Sequence, residues 1–386
     1  MSDIPEPPQN IKLYSYADDI NTLTSHSNIN TAQDNIQPYL KTLHDWTTQN
    51  HLILNPDKSI STLFTPDPAE YNTQLHLQIN NITIPTVKNP KVLGITLDPK
   101  LNFSQHAQNT TQKAKATTNI IKALSGTNWG KNKETLVATY KTITRPIIEY
   151  GSTTWSPTIS QTNIQQLQRI QNTALRIATG CTKDTNVQHL HDETQVLPLD
   201  THLRLHASQL RQKSLDTTHP LNHLIHQPTP PRNMKTSIFQ PNNDYTINIP
   251  LTTTNPTELQ IKQNIKTIHT QIVHSHLSQR HPNKVINTQA PDISEKEQTL
   301  PRHTRRTLAQ LRTNKSPFLI SYKNKIDPTN YKSPNCPLCN QHPHDTKHLF
   351  QCTKIPTTLT PIDLWKNPIE SAGLLATWEG ALAAHH

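Results

Sequence analysis

The cysteine and histidine residues near the carboxyl end constrain the local fold more than any other feature of the sequence. Cys336, Cys339, His348 and Cys352 follow the pattern C-x2-C-x8-H-x3-C. In such a pattern the first two thiolates hold one edge of a tetrahedron, and the histidine and the last cysteine close it around Zn²⁺. Because four protein ligands leave no open position for water, we predict a structural zinc knuckle rather than a catalytic metal.

Two neighbouring histidines compete for the place of the fourth ligand. His342 and His344 also lie between the second and the last of these cysteines. We prefer His348 because Leu349 and Phe350 follow it directly and can pack a small core beside the metal. The knuckle is too short to fold around apolar side chains alone, so we expect it to fold only with the metal bound.

The cysteine pattern also indicates a compartment. Clustered cysteines favour metal binding over disulfides, and hence a reducing environment. Cys181 stands apart and is expected to be a lone core thiol. The amino-terminal residues lack the apolar segment of a secretory signal, and no apolar run approaches the roughly 20 residues that cross a bilayer. We therefore expect a nuclear or cytoplasmic protein without a membrane partner.

The balance of charge favours a polyanionic partner. The chain carries 37 Lys and Arg against 27 Asp and Glu, a formal net charge of +10. Such an excess attracts nucleic acid because phosphate contacts release counterions. With only 7 glycines, the chain has little capacity for a Gly-rich phosphate-binding loop.

Two groups of basic side chains are candidates for contacting phosphates. The first group precedes the knuckle and consists of Arg302, Arg305, Arg306, Arg312 and Lys315. The second group lies on a predicted helix and consists of Lys113, Lys115 and Lys122. For both groups the alternative interpretation is an ordinary solvated helix face.

A pair of adjacent carboxylates lies in the tetrapeptide Tyr16-Ala17-Asp18-Asp19. The apolar residues around it predict strand, turn and strand over residues 11–23. Carboxylates held close together repel one another, and a divalent cation relieves that repulsion. Mg²⁺ binds a few carboxylates together with water and substrate phosphates, and two such ions can support phosphoryl transfer. The alternative is a solvated Asp-Asp turn.

The remaining apolar pattern predicts an α+β fold. A helix is expected over residues 31–49, with Pro38 in its first turn or at a kink. Short strands are expected next, at residues 60–64, 75–79 and 92–97. Helical periodicity then dominates, at residues 104–124, 133–150, 164–178 and 201–215, with Gly126 and Gly180 following two of these helices.

The second half of the chain has a looser pattern. Pro, Thr and Asn fill residues 216–257, which is typical of a linker. One amphipathic helix follows, with an isoleucine stripe over residues 261–272. Another helix is expected to start at Ser294, where Glu297 would complete a capping box.

Several sequence blocks, all in one order, resemble the reverse transcriptases of non-LTR retrotransposons of the Jockey-like group. Tyr-Ala-Asp-Asp resembles the third block of their palm, and Leu-Asn-Pro-Asp-Lys-Ser at 54–59 resembles the next block. Val-Leu-Gly-Ile-Thr-Leu-Asp at 92–98 resembles their primer-grip strand. Segments similar to their helical thumb lie at 129–131, 148–151, 155–157 and 168–176. The terminal knuckle, with Asp-Thr-Lys-His-Leu-Phe at 345–350, is also similar.

This resemblance implies RNA-directed DNA polymerisation on an element RNA template at target-site DNA. Asp18 would bind catalytic Mg²⁺ with Asp19 beside it, and Tyr16 would contact nucleotide or primer. Lys58 would approach the phosphates of the incoming nucleotide, although a surface lysine is equally expected. Gly94 would lie in the primer-grip hairpin, with an ordinary edge hairpin as the alternative.

The resemblance also implies a domain order. It predicts a partial palm over 1–103, a helical thumb over 104–215 and a linker with one amphipathic helix over 216–293. A basic helical segment, the knuckle and a tail would then occupy 294–333, 334–356 and 357–386.

Members of this family have fingers and an earlier palm block that contributes another catalytic aspartate. Only fifteen residues precede Tyr16 here. We therefore expect a truncated polymerase that is inactive alone. A non-catalytic nucleic-acid-binding remnant is the main alternative, and an inert fragment is the third.

Overall fold

The computed structural model describes residues 3–126, 130–227, 237–240, 243–247, 249 and 257–384. Helices and small two-stranded sheets make up these residues, so the predicted mixed α+β class is confirmed. The chain divides into two compact units, Met1–His106 and Ala107–His386. The finer division into palm, thumb, linker and knuckle stays a prediction.

The first unit is built on one hairpin, one long helix and short strand pairs. Its elements are β1 (Ile11–Tyr16), β2 (Asp19–Thr24), α1 (Ile29–Gln49), β3 (Gln78–Ile79), β4 (Ile82–Thr83), β5 (Lys91–Val92) and β6 (Ile95–Thr96). Each successive pair of strands, β1 with β2, β3 with β4 and β5 with β6, is antiparallel.

Helix α1 contributes a buried stripe to the core of this unit. Asn28 begins it, since its side chain accepts a hydrogen bond from the backbone N–H of Thr31. The helix therefore starts before the predicted residue 31, and Pro38 lies well inside it rather than in the first turn. Its buried stripe consists of Ile36, Tyr39 and Leu43. These side chains share a core with residues of β1, of β3 and of the positions just before β3 and just after β4, namely Ile11, Leu77, Ile79 and Ile84.

The predicted strands after α1 are shorter than expected. Residues 60–64 form only an isolated bridge between Ser61 and Thr86. Ser61 donates its backbone N–H to the carbonyl of Pro85 at 2.9 Å and accepts the N–H of Val87 at 2.8 Å, but Pro85 itself has no N–H with which to extend the bridge. Nearby prolines therefore limit how far a ladder can extend. The predicted strand 92–97 is interrupted by a turn at Leu93 and Gly94.

The second unit is helical. Its helices are α2 (Ser104–Ala123, which begins in the first unit), α3 (Lys133–Thr139), α4 (Arg145–Glu149), α5 (Ser152–Trp155), α6 (Gln161–Thr179), α7 (Val187–Thr194), α8 (Leu199–Lys213), α9 (Glu258–Ser278), α10 (Arg302–Leu311), α11 (Ile320–Ile326), α12 (Asp363–Lys366) and α13 (Pro368–Ala384). Short 3-10 turns lie at Asn222–Leu224, Glu295–Thr299 and His348–Phe350 in this unit, and at Pro68–Glu70 in the first unit. In the part of the chain that the structure describes, no helix is long and apolar enough to span a bilayer.

The predicted helix 133–150 is divided by a π-helical turn at Tyr140–Thr144. Pro146 lies in the first turn of α4. Because proline has no N–H, it cannot continue the hydrogen-bond pattern of α3, and the wider turn accommodates the break. Tyr140 is fully buried there, and its hydroxyl donates to the side chain of Gln171 on α6 at 2.6 Å.

Two predicted helix ends had different outcomes. Gly180 caps α6 with a left-handed φ of 72°, which confirms that prediction. Gly126 does not cap α2, which ends at Ala123. The capping box at Ser294 was wrong: Ser294 precedes a 3-10 turn and makes no side-chain cap. Glu297, which was predicted to complete the box with Ser294, is buried and forms ion pairs with cationic side chains from other parts of the chain.

Several apolar cores stabilise the described part of the second unit, and two of them lie near the sites discussed below. One joins α2, α3, α6 and α7 around Leu136, Tyr140 and Leu175, and it includes Cys181. Burial raises the pKa of Cys181 to about 12, as expected of an inert core thiol. The other core surrounds the Cys/His cluster and is described below.

Replacing Gly180 by Ala should destabilise the second unit by about 2 kcal/mol or more. The left-handed φ disfavours any Cβ, and a Cβ here would lie 2.3 Å from Nε of Arg306. Gly373→Ala is the matched control, because no atom outside its own helix lies within 4 Å of its Cβ position. That control should be neutral or stabilising by roughly 0.5–1 kcal/mol. Urea denaturation would measure both; equal effects would contradict the assigned geometry.

Candidate metal centres and nucleic-acid contacts

The adjacent carboxylates lie at the tip of the first hairpin. Tyr16 pairs with Asp19, so Ala17 and Asp18 form a two-residue turn. Ala17 has a left-handed φ of 51°, the sign that primed hairpin turns require at the first central position. Both carboxylates are exposed, as is Tyr16 beside them. The predicted strand, turn and strand is therefore confirmed.

The described residues bring no third metal ligand close to the carboxylate pair. Among the described residues, no further Asp, Glu, His or Cys lies close enough to Asp18 and Asp19 to form a three-ligand group. Two carboxylates alone do not complete a two-metal site. The hairpin thus presents a partial ligand set that is open to solvent.

The two other residues assigned to substrate contact lie on exposed turns. Lys58 follows a turn in which Oδ1 of Asn55 accepts the backbone N–H of Asp57 at 2.9 Å. Gly94, with φ 84°, forms the turn between β5 and β6 together with Leu93, whose φ is 44°. Two successive positive φ angles define a type I′ hairpin, in which glycine is favoured. The roles of Lys58 and Gly94 toward a substrate stay predictions.

The Cys/His residues converge near the carboxyl end. One ligand atom from each of Cys336, Cys339, His348 and Cys352 lies within 4.8 Å of all the others. Sγ of Cys339 is 3.4 Å from Nε2 of His348. Cys336, His348 and Cys352 are buried, whereas Cys339 is partly exposed. A tetrahedral ion could hold all four with small side-chain movements.

The turn that carries the first two cysteines suits thiolate ligands. Burial raises the pKa of Cys336 to about 11, and the backbone N–H groups of Cys339 and Leu338 oppose that shift. Burial also acts on Cys339, but the N–H groups of Gln341 and His342 outweigh it and lower the pKa of that thiol. Each sulfur therefore faces two backbone donors that stabilise negative charge.

The structure brings His348, and neither competing histidine, into the four-ligand group. His342 is exposed. His344 is buried, but its Nδ1 accepts the backbone N–H of Ile320 at 3.1 Å and its ring packs on Trp378 at 5.0 Å. His344 thus serves as a packing residue. Burial lowers the pKa of His348, which favours the neutral ring that a metal requires.

The Cys/His cluster is part of a larger core that the sequence did not predict. Leu349 and Phe350 pack as predicted, but against helices α10 to α13. Trp378 of α13 is fully buried and donates its Nε1–H to the carbonyl of Leu349 at 3.1 Å. The segment predicted as a tail, 357–386, contains two of these helices, α12 and α13. The apolar residues Leu374, Leu375 and Trp378 were the sequence signal that could have indicated α13 and its core.

The basic group before the knuckle lies largely inside the protein. Arg312 is fully buried, donates to the carboxylate of Glu193 at 2.8 Å and also pairs with Glu297. Arg305 is buried and pairs with Glu134. These two arginines were expected to contact phosphates, but in the structure carboxylates occupy their guanidinium groups.

Three cations and three anions balance in this network, namely Lys133, Arg305 and Arg312 with Glu134, Glu193 and Glu297. Burial alone would raise the pKa of Glu193, but Arg312 and Lys133 lower it to about 2. The network ties α3, α7 and α10 together. A buried charge without such partners would be strongly destabilising.

Arg302 and Lys315, from the same basic group, also have partners within the chain. Arg302 donates to the carbonyls of Ala178 and Ile177 at 3.1 Å, at the carboxyl end of α6. Arg306 is half-buried beside Gly180. Lys315 pairs with Asp184. By contrast, the lysines of α2 are exposed, and these are Lys113, Lys115 and Lys122.

The chain is similar to RNA-directed DNA polymerases of Drosophila mobile elements. It is 28% identical over 208 residues to the probable RNA-directed DNA polymerase from transposon BS of Drosophila melanogaster, covering 52% of this chain and 22% of that protein. The corresponding polymerase of transposon X-element is 24% identical over 60% of this chain and 26% of its own length. That of the mobile element jockey is 25% identical over 53% and 23%. The predicted relationship is confirmed.

The chain spans about a quarter of the length of these curated relatives. No protein-family model matches it, and no solved structure matches it. Residues 127–129, which include part of the predicted thumb block at 129–131, lie outside the described residues.

Proposed function

We propose that this chain is the carboxy-terminal part of an RNA-directed DNA polymerase of a non-LTR retrotransposon. The observation that carries this proposal is an exposed hairpin with Asp18 and Asp19 at its tip, in a chain whose curated relatives are such polymerases. The first unit would supply part of the palm, and the helices that follow would supply the thumb.

In this proposal Asp18 and Asp19 bind Mg²⁺, which would organise the 3′-hydroxyl and the nucleotide phosphates. Tyr16, exposed beside them, would contact nucleotide or primer. Because the described residues bring no third acidic group to the pair, the complete site needs a carboxylate from another segment. The chain alone would therefore bind substrate without extending it.

The Cys/His cluster would hold one structural Zn²⁺. Three thiolates and one imidazole match the donor set that zinc prefers, and their burial leaves little room for a substrate. Bound zinc would fix the knuckle against the core that contains Trp365 and Trp378.

The exposed α2 lysines are the best supported contacts to a template–primer duplex. Lys115 and Lys122 lie seven residues apart, on one face of the helix. We assign the contacts with nucleic-acid phosphates to α2 because Arg305 and Arg312, which were predicted to make them, are buried in ion pairs. Lys58 and the Gly94 hairpin are exposed and would add contacts in the first unit.

Replacing Lys115 and Lys122 together by Gln should weaken binding to an RNA–DNA template–primer. Each lost phosphate contact should reduce the slope of log affinity against log salt by about one. Fluorescence anisotropy at several salt concentrations would measure this slope. Lys262 and Lys266 of α9 are the matched control pair, and their replacement should leave the slope unchanged. If both variants reduce the slope equally, the net charge of the chain, and not contacts made by α2, would explain the binding.

A second candidate function is non-catalytic nucleic-acid binding. The isolated carboxylate pair favours it, because no described residue completes the metal site. The two functions differ in whether Asp18 matters for DNA synthesis once the remaining parts of a polymerase are supplied.

A further inference from the structure

A second cluster of metal-ligating side chains lies away from the knuckle. One ligand atom from each of Glu149, His202 and His206 lies within 4.8 Å of the others. We propose that these three side chains bind a divalent cation of the Zn²⁺ class. The proposal does not depend on the polymerase assignment, since it rests on this cluster alone.

Helix α8 holds the two histidines in place. His202 and His206 are four residues apart, so they project from the same face of the helix. Their ring centroids are 4.3 Å apart with an interplanar angle of 54°. Buried Leu203 and Ala207 fix the orientation of α8. The imidazole pair is therefore positioned without a metal.

Glu149, the last residue of α4, supplies the third ligand. Its carboxylate accepts a hydrogen bond from Nε2 of His202. A nitrogen and an oxygen that could both bind a metal are therefore already in direct contact. Ligands bound to Zn²⁺ at about 2.0–2.2 Å in a tetrahedron lie roughly 3.4 Å apart. Small side-chain rotations would bring the three atoms to that separation, with the metal replacing the proton between them.

The donor set indicates the kind of ion. Two imidazoles and one carboxylate suit zinc and similar transition ions better than Mg²⁺ or Ca²⁺, which prefer oxygen. Three protein ligands leave one position for water. The side chains of His202 and Glu149 are 15% and 18% exposed, so an ion can enter from solvent.

One neighbouring charge opposes the ion. Nε of Arg145 lies 2.9 Å from Oε1 of Glu149 and competes for that carboxylate. We therefore expect weaker binding than at the Cys/His cluster, which has three thiolates. Bound metal would join α4 to α8, two helices that are separated by α5, α6 and α7 in the sequence.

Zinc stoichiometry of the full chain, titrated by isothermal calorimetry, tests the proposal. The unmodified chain should bind about two Zn²⁺ ions, one tightly and one more weakly. His206→Gln should remove the weaker ion, and His269→Gln, an exposed position on α9, should keep both. A single bound ion that His206→Gln does not remove, or two bound ions in His206→Gln, would overturn the proposal.

Cobalt absorption separates the two sites in the folded full chain. Thiolate-to-cobalt charge transfer belongs to the Cys/His cluster, whereas the Glu149 site can give only the weaker visible bands. Loss of His206 should reduce the visible bands at high Co²⁺ and leave the charge-transfer band unchanged. If His206→Gln leaves the whole titration unchanged, the cluster is only a hydrogen-bonded ion pair. If the unmodified chain gives the weaker visible bands but no charge-transfer band, the result counts against the proposed zinc knuckle and leaves the Glu149 site supported.

Discussion

Removing Zn²⁺ from the Cys/His cluster should unfold the knuckle and loosen the core that contains Trp365 and Trp378. Apparent binding free energies for structural zinc in small domains are on the order of 10 kcal/mol near neutral pH. Because Leu349 and Phe350 pack into the same core, the loss should spread to α13. Hydrogen exchange of the full chain with and without a chelator would show faster exchange in both regions.

The histidines provide a matched test of the ligand assignment. His348→Ala should abolish the intense cobalt–thiolate spectrum of a four-ligand site or weaken it strongly. His342→Ala should leave it nearly unchanged, because His342 is exposed and outside the four-ligand group. The reverse result would make His342 the ligand. If neither chelation nor His348→Ala changes hydrogen exchange, the zinc assignment fails.

Replacing Arg312 by Met should destabilise the second unit by about 3–5 kcal/mol. The substitution leaves the buried carboxylates of Glu193 and Glu297 without their main cation. Urea denaturation would measure the change in the free energy of unfolding. Lys315→Met is the control, since that lysine pairs with Asp184 near the surface and should contribute about 0–1 kcal/mol. Equal small effects would contradict the buried network.

The same network predicts how the stability of the folded protein changes with pH. The pKa of Glu193 is held at about 2, below its ordinary value of 4.5. A carboxylate with a depressed pKa in the folded state stabilises the protein above its unfolded pKa. That contribution is lost as the pH falls toward the folded value. In Arg312→Met this part of the acid sensitivity should shrink, because the principal cause of the depression is gone.

Local sequence signals predicted those features that depend on neighbouring residues. Alternation of apolar residues around Asp18 and Asp19 indicated the hairpin, and Gly180 marked the end of α6. The Cys/His spacing identified four side chains that the structure brings together. In each case the determining interactions lie within a short stretch of chain.

Features that depend on distant partners were not predictable in this way. Arg305 and Arg312 looked like a basic surface because their carboxylates come from α3, α7 and the Glu295–Thr299 turn. Glu297 looked like a capping residue for the same reason. Helix α13 was missed because its apolar residues become a core only when the knuckle packs on them. The proximity of Glu149 to α8 likewise required the fold.

Primer extension by a chimeric polymerase tests the central proposal most directly. The matching segment of the jockey polymerase of Drosophila melanogaster would be replaced by its counterpart from this chain, including Asp18 and Asp19. With Mg²⁺ and an RNA template, the chimera should extend a primer, Asp18→Asn should abolish extension, and this chain alone should give none. A chimera that binds template–primer but does not extend it, or that extends it equally well with Asp18→Asn, would contradict the proposal.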